Sequence, residues 1–154
     1  MKLYLVQHGE AKSEIEDPDR SLTASGEKEV ARVARAAKKM DIKPAKIYHS
    51  GKKRAKQTAE IIGAGLQVSD QDLEAVRGLN PNDVVRPWVE KIPKEKKDIM
   101  LVGHLPFLDK LTSLLLCGDE NARVVLFRYG CMVCLEQKED SNWAVGWVLK
   151  PEMV

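Results

Sequence analysis

The segment KLYLVQHG (residues 2–9) carries a run of apolar residues into His8 and Gly9. A short apolar run bounded by a turn is typical of a buried strand. Taken alone, a histidine and a glycine at that point usually mark only the start of a turn. The pattern gains weight because the chain repeats it: DIMLV (residues 98–102) is followed by a glycine and His104.

Composition limits the classes of protein to which the chain can belong. Its 154 residues, 44% hydrophobic and 31% charged, predict a soluble globular protein with one domain spanning residues 1–154. A net charge of +2 does not favour a general nucleic-acid binder. No apolar run approaches the roughly 20 residues that a membrane-spanning helix needs. The N-terminus lacks the pattern of a signal peptide, so we expect a cytoplasmic location.

The chain has three cysteines, Cys117, Cys131 and Cys134, an odd number that forms no disulfide framework. Cys131 and Cys134 have the spacing of a redox or zinc pair. They lie in an alternating run typical of a strand, where residues three apart point to opposite faces. We therefore expect neither metal binding nor redox chemistry from this pair.

The hydrophobic pattern predicts alternating strands and helices. Thr23 and Ser50 are suitable N-caps for the first two helices, and Pro106 suits the first turn of the last. The predicted strands are residues 2–7, 46–49, 98–102, 124–127, 131–137 and 143–149. The predicted helices begin at these three positions, and a weaker helix covers residues 82–91.

This alternation predicts βαβ units and a mainly parallel sheet. The strands at the C-terminal end of the chain are expected to add antiparallel edges. The predicted fold class is α/β, a three-layer α/β/α sandwich with helices on both faces of the sheet.

Ligands of open α/β sheets bind beyond the carboxyl ends of the strands. The first and third of the predicted parallel strands end beside His8 and His104. The strand between them in sequence feeds a helix whose first turn carries Arg54. A helix N-terminus and an arginine fork both suit phosphate, and a neutral imidazole suits nucleophilic attack. These residues therefore predict a site for phosphate chemistry.

Four segments resemble the motifs of one family, the histidine phosphatase superfamily with its phosphoglycerate-mutase-like fold. They are LYLVQHGEA (residues 3–11), DPDRSLTASG (17–26), IYHSGKKRAKQTAE (47–60) and IMLVGHLP (99–106). Within the family the chain is similar to the short phosphohistidine phosphatases of the SixA type. The absence of a large insertion between Leu66 and Asp98 favours these over the larger mutases.

The resemblance implies a cofactor-independent phosphatase, without a metal, that removes phosphate from protein phosphohistidine. His8 would be the nucleophile that is phosphorylated in turnover, with Arg54 and His104 as further catalytic residues. The phosphoryl group would be bound by Gln7, Gly9, Arg20, Arg54 and His104. The implied partner is a phosphohistidine-bearing protein, inorganic phosphate is the product, and neither nucleic acid nor a membrane is involved.

The chain departs from the family pattern in two places. Gln7 stands where the family has arginine, so a donor is kept but the charge and the fork are lost. Gly78 stands where a glutamate acid would be expected, and the nearby carboxylates of Glu74 and Asp83 cannot be assigned to that role. A site without an assigned general acid favours a substrate such as phosphohistidine, whose leaving group needs little assistance from a proton donor of the enzyme.

Two alternatives remain open at this point. One is a phosphatase for small phosphoesters. The other is a degenerate module that binds phosphate or a phosphoprotein without turnover, for which Gln7 is the only support in the sequence.

Overall fold

The computed structural model describes residues 1–154, which form one six-stranded sheet with helices on both faces. The sheet order is β3-β2-β4-β1-β5-β6. Its strands are β1 (Lys2–Gln7), β2 (Lys46–His49), β3 (Leu73–Ala75), β4 (Ile99–Gly103), β5 (Met132–Gln137) and β6 (Trp143–Leu149). The first four strands are parallel, β5 pairs antiparallel with β1, and β6 pairs antiparallel with β5. The predicted mainly parallel sheet with antiparallel C-terminal strands is confirmed.

Two layers of helices cover the sheet, and each has its own hydrophobic cluster. The helices are α1 (Ala24–Lys39), α2 (Lys53–Leu66), α3 (Arg86–Lys91) and α4 (Phe107–Cys117). Tyr4 and Val6 of β1 belong to the cluster that contains α1 and α2 residues, whereas Leu3 and Leu5 belong to the cluster with α3 and α4. Since both faces are buried, residues 3–6 of β1 are a continuous apolar run rather than an alternating one. This arrangement is the predicted three-layer sandwich.

The start of α1 is fixed by the residue that the sequence indicated. The side chain of Thr23 accepts a hydrogen bond of 2.9 Å from the backbone N–H of Gly26, which satisfies one free donor of the first turn. α1 then packs against α2 so closely that a methyl group on Gly65 would lie 2.8 Å from the Cβ of Ala34. The absence of a side chain at Gly65 is therefore what lets the two helices meet.

Two predicted elements need correction, and one strand was not predicted. Residues 124–127 form no strand, although Phe127 is buried, because no neighbouring strand supplies them with ladder hydrogen bonds. The weaker helix does not cover residues 82–91: α3 begins only at Arg86, because Pro87 has no N–H to donate and suits the first turn. The short edge strand β3 was not predicted, since three residues carry too little pattern.

The cysteine pair lies as the strand pattern predicted. Cys131, just before β5, belongs to the cluster of the α3–α4 side, and Cys134 to that of the α1–α2 side. Both are buried, and burial raises the pKa of each thiol. No helix in the structure is both long enough and apolar enough to cross a membrane.

Candidate active site

The carboxyl ends of the parallel strands bring the two predicted histidines together. Gln7 of β1 lies opposite Gly103 of β4, and the backbone N–H of His8 donates to the carbonyl of Gly103 over 3.0 Å. The rings of His8 and His104 have their centroids 5.0 Å apart. β2 ends beside them, so the start of α2 faces the same edge of the sheet.

The two nitrogens of the His8 ring have different surroundings. Nδ1 lies 2.7 Å from the carbonyl oxygen of Gly9, which can only accept, so Nδ1 carries the proton. The lone pair is then on Nε2, and the Nε–H of Arg54 donates to it over 3.3 Å. The free nitrogen of His8 therefore points at a guanidinium group.

His8 is held in its neutral form. Burial is the main cause that lowers its pKa to about 4, and the charges of Arg54 and Arg20 act in the same direction. The hydrogen bond to the carbonyl of Gly9 opposes this shift. At neutral pH the ring therefore keeps its lone pair.

His104 is also neutral, and it is joined to the segment that follows β2. Its side chain is almost fully buried, and burial followed by the charges of His8, Arg54 and Lys52 lowers its pKa to about 3. Its Nε2 lies 2.6 Å from Oγ of Ser50, while its Nδ1 has no hydrogen-bond partner. Ser50 was predicted to cap α2, but the structure shows Lys52 at that position without a side-chain cap. The hydroxyl of Ser50 instead contacts His104.

His49, the third histidine, is buried and has a local structural contact. Its Nδ1 accepts a hydrogen bond of 3.1 Å from the backbone N–H of Gly51 in the turn that leads into α2. His49 therefore has a structural contact in this turn.

Arg20 lies in the loop before α1 and lines the same cleft as Arg54, and its charge contributes to the lowered pKa values of His8 and His104. Its backbone is in the left-handed region, with φ of 51°, and its Nε–H donates to the carbonyl of Lys12 over 3.1 Å. The carboxylate of Asp17 accepts from the hydroxyl and backbone N–H of Ser21, which holds this loop in shape. Asp17 thereby helps to position Arg20.

Gln7 and Gly9 flank the histidine differently. The side chain of Gln7 is buried, and its Oε1 has no hydrogen-bond partner. The backbone N–H of Gly9 donates to Oγ1 of Thr58 over 3.0 Å, and a methyl group on Gly9 would lie 2.7 Å from Cγ2 of Val30. The close approach that requires glycine here is thus the packing of α1.

The motif around Arg54 also supplies residues that hold the site together. Thr58 donates to the carbonyl of Arg54 over 2.7 Å while it accepts from Gly9, so one hydroxyl ties α2 to the end of β1. The Oε1 of Gln57 accepts from the backbone N–H of Leu22, over 2.8 Å, in the loop that contains Arg20. These contacts explain why polar side chains occur on the inner face of α2.

Tyr129 is a site residue that the sequence did not reveal. Its ring centroid lies 5.4 Å from that of His8, and the side chain is 49% exposed. The next residue, Gly130, has φ of 71° and its backbone N–H contacts the carbonyls of Gln7 and His8. A single tyrosine before a glycine in a loop forms no sequence motif from which its position beside His8 could be predicted.

A polar cleft of about 630 Å³ opens beside Arg54, and no hydrophobic residue lines it. Two of its side chains are the carboxylates of Glu14 and Asp19. Its cationic side chains are those of Arg20, Lys52, Lys53, Arg54 and Lys56. The site is therefore bounded on one side by a surface of positive charge.

The two carboxylates that could not be assigned have other contacts. Glu74 forms an ion pair of 3.6 Å with Lys46, at the start of β2 and away from its carboxyl end. Asp83 accepts from the backbone N–H of Asn80 over 2.7 Å. No group of three or more histidine, cysteine, aspartate or glutamate side chains is arranged to hold a metal ion.

Comparison with known proteins agrees with this geometry. Residues 3–86 match the sequence model of the histidine phosphatase superfamily (branch 1). This chain belongs to the histidine phosphatase superfamily. The matched range contains Gln7, His8, Arg20 and Arg54, while His104 reaches the site through the fold.

The proteins similar to this chain include an uncharacterized protein and phosphatases of several kinds. An uncharacterized protein of Picosynechococcus is 30% identical over 137 residues, covering 84% of this chain and 82% of that protein. The protein histidine phosphatase SixA complexed with tungstate has a TM-score of 0.86 at 23% identity, with 99% of each chain covered. A candidate SixA from Agrobacterium tumefaciens has a TM-score of 0.81 at 22% identity, with 97% of each covered.

A phosphatase named for another substrate shares the fold. A candidate α-ribazole-5′-phosphate phosphatase from Escherichia coli has a TM-score of 0.79 at 15% identity, covering 97% of this chain and 96% of that one. These structural matches place the superfamily member in the phosphoglycerate-mutase-like fold, as the resemblance implied.

Proposed function

We propose that this protein is a cofactor-independent phosphatase of the SixA type, which removes phosphate from protein phosphohistidine through a covalent intermediate on His8. The observation that carries the proposal is the state of the His8 ring. Its Nδ1 is bonded to the carbonyl of Gly9, its free Nε2 faces the guanidinium of Arg54, and its lowered pKa keeps it neutral. An unprotonated nitrogen aimed at a cationic fork is suited to attack a bound phosphoryl group.

The reaction has two steps. In the first, Nε2 of His8 attacks phosphorus, the bond from phosphorus to the substrate imidazole breaks, and that imidazole leaves with a proton. In the second, water attacks phosphorus, the bond to Nε2 breaks, and inorganic phosphate is released. The backbone carbonyl of Gly9 accepts from Nδ1 throughout, so the positive charge that develops on the His8 ring has a fixed partner.

The surrounding side chains stabilise charge on the phosphoryl oxygens. Arg54 and Arg20 supply positive charge, and Arg54 can offer two parallel N–H groups to two oxygens. His104, buried beside His8, and Gln7, at the end of β1, are the neutral groups in reach of the same oxygens. Gly9 contributes by letting α1 pack under the nucleophile.

The leaving group argues for phosphohistidine. Glu74 and Asp83 are held by Lys46 and by the backbone of Asn80, so neither is arranged to give a proton to a departing alkoxide. An imidazole can take its proton from solvent and leaves readily, whereas an alkoxide needs an acid. The likeness to SixA structures supports the same substrate class.

The test is to trap the covalent intermediate. Brief reaction with a protein labelled on phosphohistidine, quenched in base, should leave acid-labile phosphate on the peptide that contains His8. The label should be lost in His8→Ala and kept in a His49→Gln variant that is confirmed to be folded. Label that survives His8→Ala undiminished would contradict the covalent mechanism.

Hydrolysis of small phosphoesters is a second candidate, favoured by the likeness to an α-ribazole-5′-phosphate phosphatase. It is distinguished by comparing kcat/KM for a phosphohistidine protein with that for an aryl phosphate. A higher value for the ester would favour this candidate.

A further inference from the structure

The cationic cleft beside the candidate active site is larger than one phosphoryl group requires. We infer that Lys52 and Lys53 bind carboxylates next to the phosphohistidine, so that the enzyme selects phosphohistidine presented on an acidic protein surface. This inference rests on the proposed function and adds to it the chemistry of the partner. It concerns two lysines that are exposed at the start of α2.

The first argument is that most cations of the cleft form no ion pair within the protein and outnumber its two carboxylates, those of Glu14 and Asp19. The structure contains five ion pairs, and none includes Arg20, Lys52, Lys53 or Arg54. Lys56 alone among the cleft cations has such a partner, Glu60 at 3.8 Å. With five cationic side chains and two carboxylates, the lining of the cleft has an excess of three positive charges.

The second argument is that the arginines and the lysines of the cleft have different positions. Arg54 contacts Nε2 of His8, and Arg20 is near enough to lower the pKa of His8. Lys53 instead contributes to the lowered pKa of Asp17, in the loop on the other side of the cleft. Arg54 is thus in contact with His8, while Lys52 and Lys53 form an adjacent exposed pair at the start of α2. Lys52 also contributes to the lowered pKa of His104, so this pair borders the site.

The third argument is the chemistry of the cleft wall. No hydrophobic side chain lines it, so a partner gains little there from burial of apolar surface. Exposed ammonium groups on flexible stems attract carboxylates mainly through charge, which steers encounter and weakens as salt is added. An acidic segment around the phosphorylated histidine is the complement of such a surface.

The experiment uses two peptides that differ only in charge. Each carries one histidine, phosphorylated with phosphoramidate, flanked by four glutamates in one peptide and four glutamines in the other. At low salt the parent protein should hydrolyse the glutamate peptide with kcat/KM about threefold to tenfold higher, the effect of two exposed ion pairs. In Lys52→Gln/Lys53→Gln this ratio should fall toward one.

A matched control pair lies at the end of α1. Lys38→Gln/Lys39→Gln makes the same change in net charge at two exposed lysines on another part of the surface, and should keep the ratio of the parent. Addition of 0.5 M NaCl should reduce the ratio for the parent. A parent ratio near one, or equal ratios in the two double variants, would overturn the inference.

Failure of the proposed function would look different, since the parent would then hydrolyse neither peptide. In that case binding of a fluorescent, unphosphorylated glutamate peptide at low salt decides the inference. Weaker binding by Lys52→Gln/Lys53→Gln than by the control pair supports it. Equal binding by the two variants overturns it, as does stronger binding by the Lys52→Gln/Lys53→Gln variant.

Discussion

At the scale of single residues, the candidate site depends on keeping two imidazoles neutral beside cations. His8 and His104 are buried, and the charges of nearby arginines add to the cost of protonating either ring. The same cations that help to keep His8 unprotonated would stabilise a phosphoryl dianion. Gln7 is the exception, since its side chain is a neutral amide. A positive charge at this position would both oppose protonation of His8 and stabilise a phosphoryl group.

We expect Gln7→Arg to increase the rate of phosphoryl release from a phosphohistidine protein by about tenfold. A hydrogen bond to a charged group contributes roughly 1 kcal/mol more than a neutral one, and preorganised donors contribute more. Removal of the amide also removes the unpartnered oxygen of Gln7. Gln7→Lys, which adds the charge without the fork, should gain less. The rate constant is measured on variants confirmed to be folded.

Two outcomes would contradict this expectation in different ways. A parent without activity that stays inactive as Gln7→Arg would favour a phosphate-binding module. An active parent that slows on gaining arginine would show that Gln7 helps to choose the substrate.

At the scale of elements, the site is assembled by segments that approach β1 from different directions. The start of α2 supplies Arg54, and Thr58 fastens that helix to the backbone of Gly9. The loop before β5 supplies Tyr129, and Gly130 fastens it to the backbone carbonyls of Gln7 and His8. The ring of His8 therefore lies near two other rings, those of His104 and Tyr129.

Tyr129→Ala should raise the pKa of His8 from about 4 toward the ordinary value. Burial is the main cause of the lowered pKa, and loss of the tyrosine ring admits water to one side of the imidazole. Tyr129→Phe keeps the ring and should leave the pKa low. The measurement is the pH titration of the His8 ring proton by NMR, assigned with His8→Asn.

Leu126→Ala is the control for this experiment, because Leu126 is 62% exposed in the same loop. It should not change the titration of His8. Equal midpoints in Tyr129→Ala and the parent would show that the tyrosine does not shield the histidine.

At the scale of the whole molecule, the sheet brings the residues of the candidate site to one edge, and the helices bury both of its faces. Parallel pairing of β1 with β4 and of β4 with β2 brings residues far apart in sequence to one edge. The two hydrophobic clusters on either side hold these strands rigidly. Histidines buried at that edge make the stability of the whole fold depend on pH.

The free energy of unfolding should be about 2–4 kcal/mol lower at pH 5 than at pH 7. The pKa values of His8 and His104 are about 4 and 3 in the folded protein, against 6.5 for unperturbed histidine. The unfolded chain therefore binds more protons below pH 6.5, and stability falls as pH falls through that window. Urea denaturation at the two pH values measures the difference.

The double variant His8→Asn/His104→Asn tests the cause of this pH dependence. It should lose most of the difference between pH 5 and pH 7. A parent that is equally stable at both pH values, or a double variant that keeps the full difference, would contradict the assignment.

The pattern of the sequence was sufficient for the elements whose signal is local. Apolar runs predicted β1, β2 and β4, and the spacing of apolar residues with Thr23 predicted α1. It failed where pairing or context decides: residues 124–127 form an apolar run like that of a strand but have no neighbouring strand, and β3 is too short to carry a pattern. Hydrogen bonding to a partner strand is a tertiary property that an apolar run alone cannot report.

The candidate site divides in the same way. The sequence by itself determined its chemistry, because His8, Arg54 and His104 follow strand ends or begin a helix, and parallel strands bring such positions together. Only the tertiary structure decided which nitrogen of His8 is free, that Ser50 contacts His104 rather than capping α2, and that Tyr129 lies against His8. These depend on distances of a few ångströms between segments distant in sequence, which are set by packing rather than by any local preference of the chain.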